Sequence, residues 1–84
     1  PDAVILDIRE DAERVVRTLP DAVEIPLGEL RDRLSELDRE KTYVLFCGIG
    51  VRAYNAARIL NNHGFAHALV YPGGTRLYYA THQE

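Results

Sequence analysis

One stretch of the sequence has the residue types and spacing of a reactive site. Cys47-Gly48-Ile49-Gly50-Val51-Arg52 follows the apolar run Thr42-Tyr43-Val44-Leu45-Phe46 and leads straight into an alanine-rich helical pattern. A cysteine ending a strand is often just a small buried hydrophobe. Here, glycines at 48 and 50 let the backbone curl so that successive N–H groups converge on one point, and the helix N-terminus adds its partial positive charge. The expected product is an anion cradle around a sulfur atom. Such surroundings favour thiolate over thiol and make Cys47 a nucleophile near neutral pH. Arg52, in the first turn of the helix, can fix the loop or lend it a cation.

The elements that must hold this loop follow from hydrophobic patterning. Ala3 to Ile8 is a short, continuous, β-branched run, as expected of a strand covered on both faces. Asp11 stands at a cap position before Ala12, Val15, Val16 and Leu19, a stripe ended by Pro20 that predicts a short helix. Ala22 to Ile25 reads as a brief edge strand. From Pro26, Leu27, Leu30, Leu34 and Leu37 predict an amphipathic helix, with Glu29 and Arg33 as a favourably oriented i, i+4 pair on its other side. Thr42 to Phe46 is the third strand. The helix after the loop offers Ala53, Ala56, Ala57 and Leu60 for close packing and stops at Asn62-His63-Gly64. Ala68 to Tyr71 is a fourth strand, Pro72-Gly73-Gly74 a turn, and Thr75 to Thr81 a last short helix. Strands and helices alternating through short connections predict an α/β fold, an open parallel sheet flanked by helices on both faces. The binding crevice of such a sheet lies beyond the carboxyl ends of its strands, where Cys47 stands.

Composition narrows the function. With 84 residues the chain reads as one domain, residues 1–84. Ten basic residues against thirteen acidic ones give a net charge of −3 with no basic block, which argues against a nucleic-acid partner. No apolar run approaches bilayer length and no basic, apolar leader opens the chain, so the expectation is a cytoplasmic domain with no membrane contact. A lone cysteine makes no internal disulfide, and with three scattered histidines it forms no metal framework. His63 and His67 are separated by the helix-breaking Gly64 and are not read as metal ligands. The absence of methionine and the start at Pro1-Asp2 suggest an excised part of a larger protein.

Three families of chemistry use such a loop. Gly48-Ile49-Gly50-Val51-Arg52-Ala53 satisfies G-x-G-x-x-A, but the dinucleotide fingerprint wants an acidic residue about 20 positions on, where this chain reads Leu69-Val70-Tyr71-Pro72. Cysteine-dependent phosphatases and arsenate reductases resemble the loop in nucleophile, cradle and closing arginine. They place one more residue between cysteine and arginine than Gly48 to Val51 supply, which leaves this cradle small for a tetrahedral oxyanion.

The whole chain resembles a rhodanese-like domain. The likeness rests on Leu6-Asp7-Ile8-Arg9-Glu10, on Ala22-Val23-Glu24-Ile25-Pro26-Leu27, on a catalytic loop of matching length from Cys47 to Arg52, and on Tyr71-Pro72-Gly73-Gly74 with aromatics after it. Arg52 to Leu60 with Gly64-Phe65 looks most like the rhodanese domain fused to the C-terminus of flavin-dependent, coenzyme A disulfide reductase-like enzymes. The resemblance implies a sulfurtransferase or persulfide carrier: Cys47 takes sulfane sulfur from thiosulfate, polysulfide or a persulfide and passes it to a thiol or other thiophile. The loop from Gly48 through Ile49, Gly50 and Val51 to Arg52 holds the persulfide. It also implies no metal or organic cofactor in this domain, with FAD and NAD(P)H belonging to a fused flavoprotein reductase where one exists. The alternative within the fold is a non-catalytic regulatory or interaction module.

Two departures from the family pattern sharpen these expectations. Gly48 stands where many thiosulfate-using members carry a basic residue, which favours persulfide or polysulfide donors. The chain begins at what is usually the family's second strand, so four parallel strands are expected, in the order Ala68 to Tyr71, Thr42 to Phe46, Val4 to Ile8, Ala22 to Ile25. By that order Asp7 and Arg9 emerge beside Cys47, either to support its pocket or to form a strand-end ion pair. Arg76, Tyr78 and Tyr79 are candidates for a pocket wall or for sheet packing. Glu10, Asp11 and Glu13 read as a favourable charge set at a helix N-terminus.

Overall fold

Apolar strand runs too short to alternate into solvent, separated by helical segments, leave a parallel sheet as the way to bury both strand faces. The computed structural model shows this arrangement and describes residues 3–81; Pro1 and Asp2 lie outside the described residues. Strands β1 (Val4–Asp7), β2 (Val23–Glu24), β3 (Tyr43–Phe46) and β4 (Ala68–Val70) form one sheet in the order β2-β1-β3-β4, the expected order. All pairings are parallel; Val4 to Asp7 stand opposite Tyr43 to Phe46, and Tyr43 to Leu45 opposite Ala68 to Val70. Helices α1 (Asp11–Val16), α2 (Val51–Asn62) and α3 (Gly74–Thr81) and a 3₁₀ segment (Leu27–Glu36) complete the chain.

Side-chain alternation divides the sheet into two faces. Leu6, Ile8, Tyr43, Leu45 and Cys47 point into the main core, packed with Leu30 and Leu34 of the 3₁₀ segment and with Ala53, Ala56, Ile59 and Leu60 of α2. The alanines let α2 approach the sheet closely, as their spacing predicts. Asp7, Arg9 and Phe46 belong to the other face, where Phe46 stacks on Tyr71 at 4.4 Å and meets the edge of Tyr78 from α3 at 5.6 Å. Among the described residues no helix is long and apolar enough to cross a membrane.

Two elements differ from the sequence reading. The predicted stripe of α1 is not buried: Val15 and Val16 are 84% and 85% exposed, and the buried Leu19 lies beyond the helix, which ends where Arg17 turns extended (φ −161°, ψ 136°). Six residues make less than two turns, so Leu19 never joins their face. Glu10, not Asp11, is the N-cap, and polar contacts hold the helix: Arg14 binds Asp11 and the Arg9 carbonyl and reaches Glu24 at 3.4 Å. The second difference is the leucine-spaced segment, which is 3₁₀ rather than α, with Arg33 (φ −117°, ψ 17°) breaking it in two. The leucine spacing of three, four and three residues is compatible with either geometry. Three residues per turn align Leu27 with Leu30, the break at Arg33 sets Leu34 in register with them, and Leu37 follows as the extended C-cap. The i, i+4 pair forms, Arg33 Nη1 to Glu29 Oε1 at 2.9 Å, and Glu36 adds a second carboxylate at 2.8 Å.

Candidate functional site

Cys47 ends β3 on the core-facing side, so its side chain turns inward and is fully buried. The sulfur sits at the start of α2. The Gly50 N–H donates to Sγ at 2.9 Å and the Ala53 N–H at 3.4 Å. Gly50 is the N-cap of α2 in the left-handed region (φ 109°), and no side chain of its own serves as the cap acceptor. Cys47 Sγ takes that role: it accepts from a first-turn N–H that helix geometry leaves without a partner. A sulfur anion there gains two N–H donors and the positive end of a 12-residue helix.

The outward side of the loop is held just as closely. The Cys47 carbonyl accepts from the Thr75 N–H at 2.7 Å and the Gly48 carbonyl from the Arg76 N–H at 3.0 Å. The first turn of α3 therefore binds the loop's carbonyls while its N–H groups face the sulfur. This close approach requires glycine at 74: a Cβ there would lie 2.2 Å from the Cys47 carbonyl oxygen and 2.7 Å from Gly48, on a backbone at φ +60°.

Among the described residues Arg52 makes no hydrogen bond to the sulfur and forms a two-pronged pair with Glu13 of α1, each N–O distance 2.7 Å. Glu13 Oε1 also accepts the Glu10 N–H at 3.0 Å. The Arg52 hydrogen bonds, chiefly, hold the Glu13 carboxyl well below its ordinary value, to about 2, against partial desolvation, with the Glu10 N–H and the positive charges of Arg52 and Arg9 adding to the effect. The same bonds raise Arg52. Sequence reading assigned Glu13 only to a helix terminus. Its partner lies 39 residues away, and no local spacing signals the pair.

Asp7 and Arg9 are buried and bind each other, Arg9 Nη2 to Asp7 Oδ2 at 2.8 Å and Nε to Oδ1 at 3.0 Å. Arg9 Nη2 also donates to the Arg17 carbonyl at 2.9 Å. The pair ties the end of β1 to the chain leaving α1; the Asp7 hydrogen bond, foremost, raises Arg9. These hydrogen bonds of Arg9 run to Asp7 and to the Arg17 carbonyl rather than to the Cys47 loop.

Ile49, Val51 and Tyr54 are 61%, 64% and 61% exposed and give the mouth of the loop an apolar rim. A cleft of about 350 Å³ adjoins it, lined by Ile49, Gly73, Arg76, Leu77 and Ala80. Arg76 thus lines a cleft, whereas Tyr78 and Tyr79 pack on each other and on neighbours, with Arg17 stacked 4.2 Å above the Tyr79 ring. A larger cavity, about 440 Å³ between the 3₁₀ segment and α2, is lined by residues such as Arg31 and Arg58 and by none of the Cys47 loop. Among the described residues no group of three or more His, Cys, Asp or Glu side chains is placed to hold a metal. His63 Nδ1 lies 2.8 Å from the Ile59 carbonyl.

Known proteins share this architecture. The sequence profile of the rhodanese-like domain matches residues 1–81. A sulfurtransferase of Allochromatium vinosum is 33% identical over 73 residues, 87% of this chain and 68% of that protein. The Bacillus subtilis protein YtwF is 36% identical over 61 residues, 73% of this chain and 59% of the relative. Among solved structures, a NAD-dependent persulfide reductase from A. fulgidus matches with a TM-score of 0.80 and 40% identity, and reduced Bacillus anthracis CoADR-RHD with 0.85 and 36%. Each match covers 92% of this chain, which spans only 14% of either of those chains.

Proposed function

The chain belongs to the rhodanese-like domain family, and from that premise we propose that it is a sulfurtransferase or persulfide carrier with Cys47 as its nucleophile. The observation that carries the proposal is the pair of N–H groups, from Gly50 and Ala53, aimed at Sγ where α2 begins. Such a site stabilises a sulfur anion, and both half-reactions need one. In the first, the Cys47 thiolate attacks the sulfane sulfur of a persulfide, polysulfide or thiosulfate. A Cys47–sulfur bond forms as the donor's sulfur–sulfur bond breaks, and the donor leaves as a thiolate, a shortened polysulfide or sulfite. In the second, an acceptor thiolate attacks the outer sulfur of the Cys47 persulfide and Cys47 departs as the thiolate. Neither half requires an outside oxidant or reductant.

The cleft beside Ile49 and Leu77 suits the body of a donor or acceptor. Where the domain is part of a larger chain, as in the two solved structures above, the acceptor thiol belongs to the attached reductase.

The test is intact-mass measurement after incubation with thiosulfate or polysulfide. The expected result is the gain of one sulfur atom, reversed by cyanide and absent from Cys47→Ser. No adduct with any donor, or an adduct that survives the substitution, overturns the assignment and leaves the non-catalytic module.

A further inference from the structure

Arg52 is the cation nearest the loop in sequence, and the structure spends it on Glu13. Both of its terminal nitrogens are engaged at 2.7 Å, while the side chain stays about one-third exposed. The pair also stands beside the residue that follows the nucleophile. A Cβ at Gly48 would lie 3.3 Å from Arg52 Nη2 and 3.9 Å from Glu13 Oε2. A donor reaching the Cys47 loop therefore meets a guanidinium whose charge is already cancelled. Around it are the exposed apolar side chains of Ile49 and Val51, and Arg76 is the one cationic residue lining the adjoining cleft.

We infer that Glu13 is a positioning residue that sets donor selection: by cancelling Arg52 it favours singly charged persulfides with apolar substituents and disfavours the thiosulfate dianion. This rests on the sulfurtransferase reading. Glu13→Gln keeps the shape and hydrogen-bonding reach of the side chain and removes its charge, leaving Arg52 uncancelled. The gain for a dianion exceeds that for a monoanion by one unit of charge. For a donor charge about 7 Å from the guanidinium, at an effective permittivity of about 60, that difference is worth about fourfold in relative kcat/KM.

The experiment measures kcat/KM for thiosulfate and for a small alkyl persulfide generated in situ, at low and high salt. In Glu13→Gln the thiosulfate-to-persulfide ratio is expected to rise about fourfold at low salt, to be carried by KM, and to fall back at about 1 M salt as screening removes the added charge. Arg52→Gln tests the same idea with the opposite sign: it leaves Glu13 as an uncancelled anion, and the ratio should drop below that of the unsubstituted chain. An unchanged ratio in both variants, or a parallel loss of both activities in Glu13→Gln with no drop of the ratio in Arg52→Gln, overturns the inference while leaving the sulfurtransferase reading intact. Failure of the unsubstituted chain to take sulfur from either donor overturns that reading and the inference with it.

Discussion

Gly74→Ala is the substitution in which fold and chemistry are most directly joined. The added methyl would stand 2.2 Å from the Cys47 carbonyl oxygen and 2.7 Å from Gly48 C and O, so it meets backbone that no side-chain rotation can clear. The left-handed backbone at φ +60° adds about 1–2 kcal/mol for a residue with a Cβ. Relieving the overlap means drawing the first turn of α3 off the loop. That movement stretches the Thr75–Cys47 and Arg76–Gly48 hydrogen bonds, now 2.7 and 3.0 Å, each worth about 1 kcal/mol net. Together these come to about 3–4 kcal/mol, against a total of roughly 4–13 kcal/mol for a domain of this length. In thermal and urea unfolding the melting point should therefore fall by roughly 15–30 °C. In the fraction that stays folded, the rate of Cys47 persulfidation should fall at least about tenfold, because the carbonyls that α3 holds and the N–H groups that face the sulfur belong to one loop. Gly28→Ala supplies the comparison: nothing lies within 4 Å of its Cβ position, and it should be neutral or stabilising by up to about 1 kcal/mol. A Gly74→Ala domain that melts within a few degrees of the unsubstituted chain and loads sulfur at the same rate would refute the claim that α3 holds the loop.

Two further outcomes follow from α1. The Glu13 carboxyl is held at about 2, below its ordinary 4.5, so its contribution to stability is complete above about pH 5 and is lost as pH falls from 4.5 towards 2. The pair is more than one-third exposed, which limits that contribution to about 1 kcal/mol; urea midpoints at pH 6 and pH 3 should converge between the unsubstituted chain and Glu13→Gln, and an equal gap at both values would contradict it. Val15→Ser and Val16→Ser should each change stability by no more than about 0.5 kcal/mol, because both side chains are over 80% exposed; a loss above about 1.5 kcal/mol in the same melts would restore the buried stripe that spacing alone predicts.

What could be read from the sequence and what could not divide along a physical line. Side-chain pattern carries the strands themselves, the alanine face of α2 and the placing of Cys47 at a strand end, because burial acts on side chains and leaves a period behind it, whereas the strand order comes from the family resemblance. The stripe through Val15, Val16 and Leu19 misleads because period is informative only over a length that keeps its helix, and α1 stops at Val16. The leucines from 27 to 37 bury as expected at 30, 34 and 37, yet their spacing does not distinguish α from broken 3₁₀ geometry. Glu13 is invisible because it meets Arg52 through the fold and not along a helix. The cradle itself is built from backbone: the donors to sulfur are the Gly50 and Ala53 N–H groups, and the loop's carbonyls are held by the Thr75 and Arg76 N–H groups. Backbone groups leave no residue signature except where a side chain must be missing, which is why Gly74 marks the contact without naming it. The same fact bears on function. A cradle of peptide groups serves any sulfur anion alike, so discrimination among donors falls to the few side chains at its mouth, and among the described residues Glu13 and Arg52 form the ion pair beside the loop.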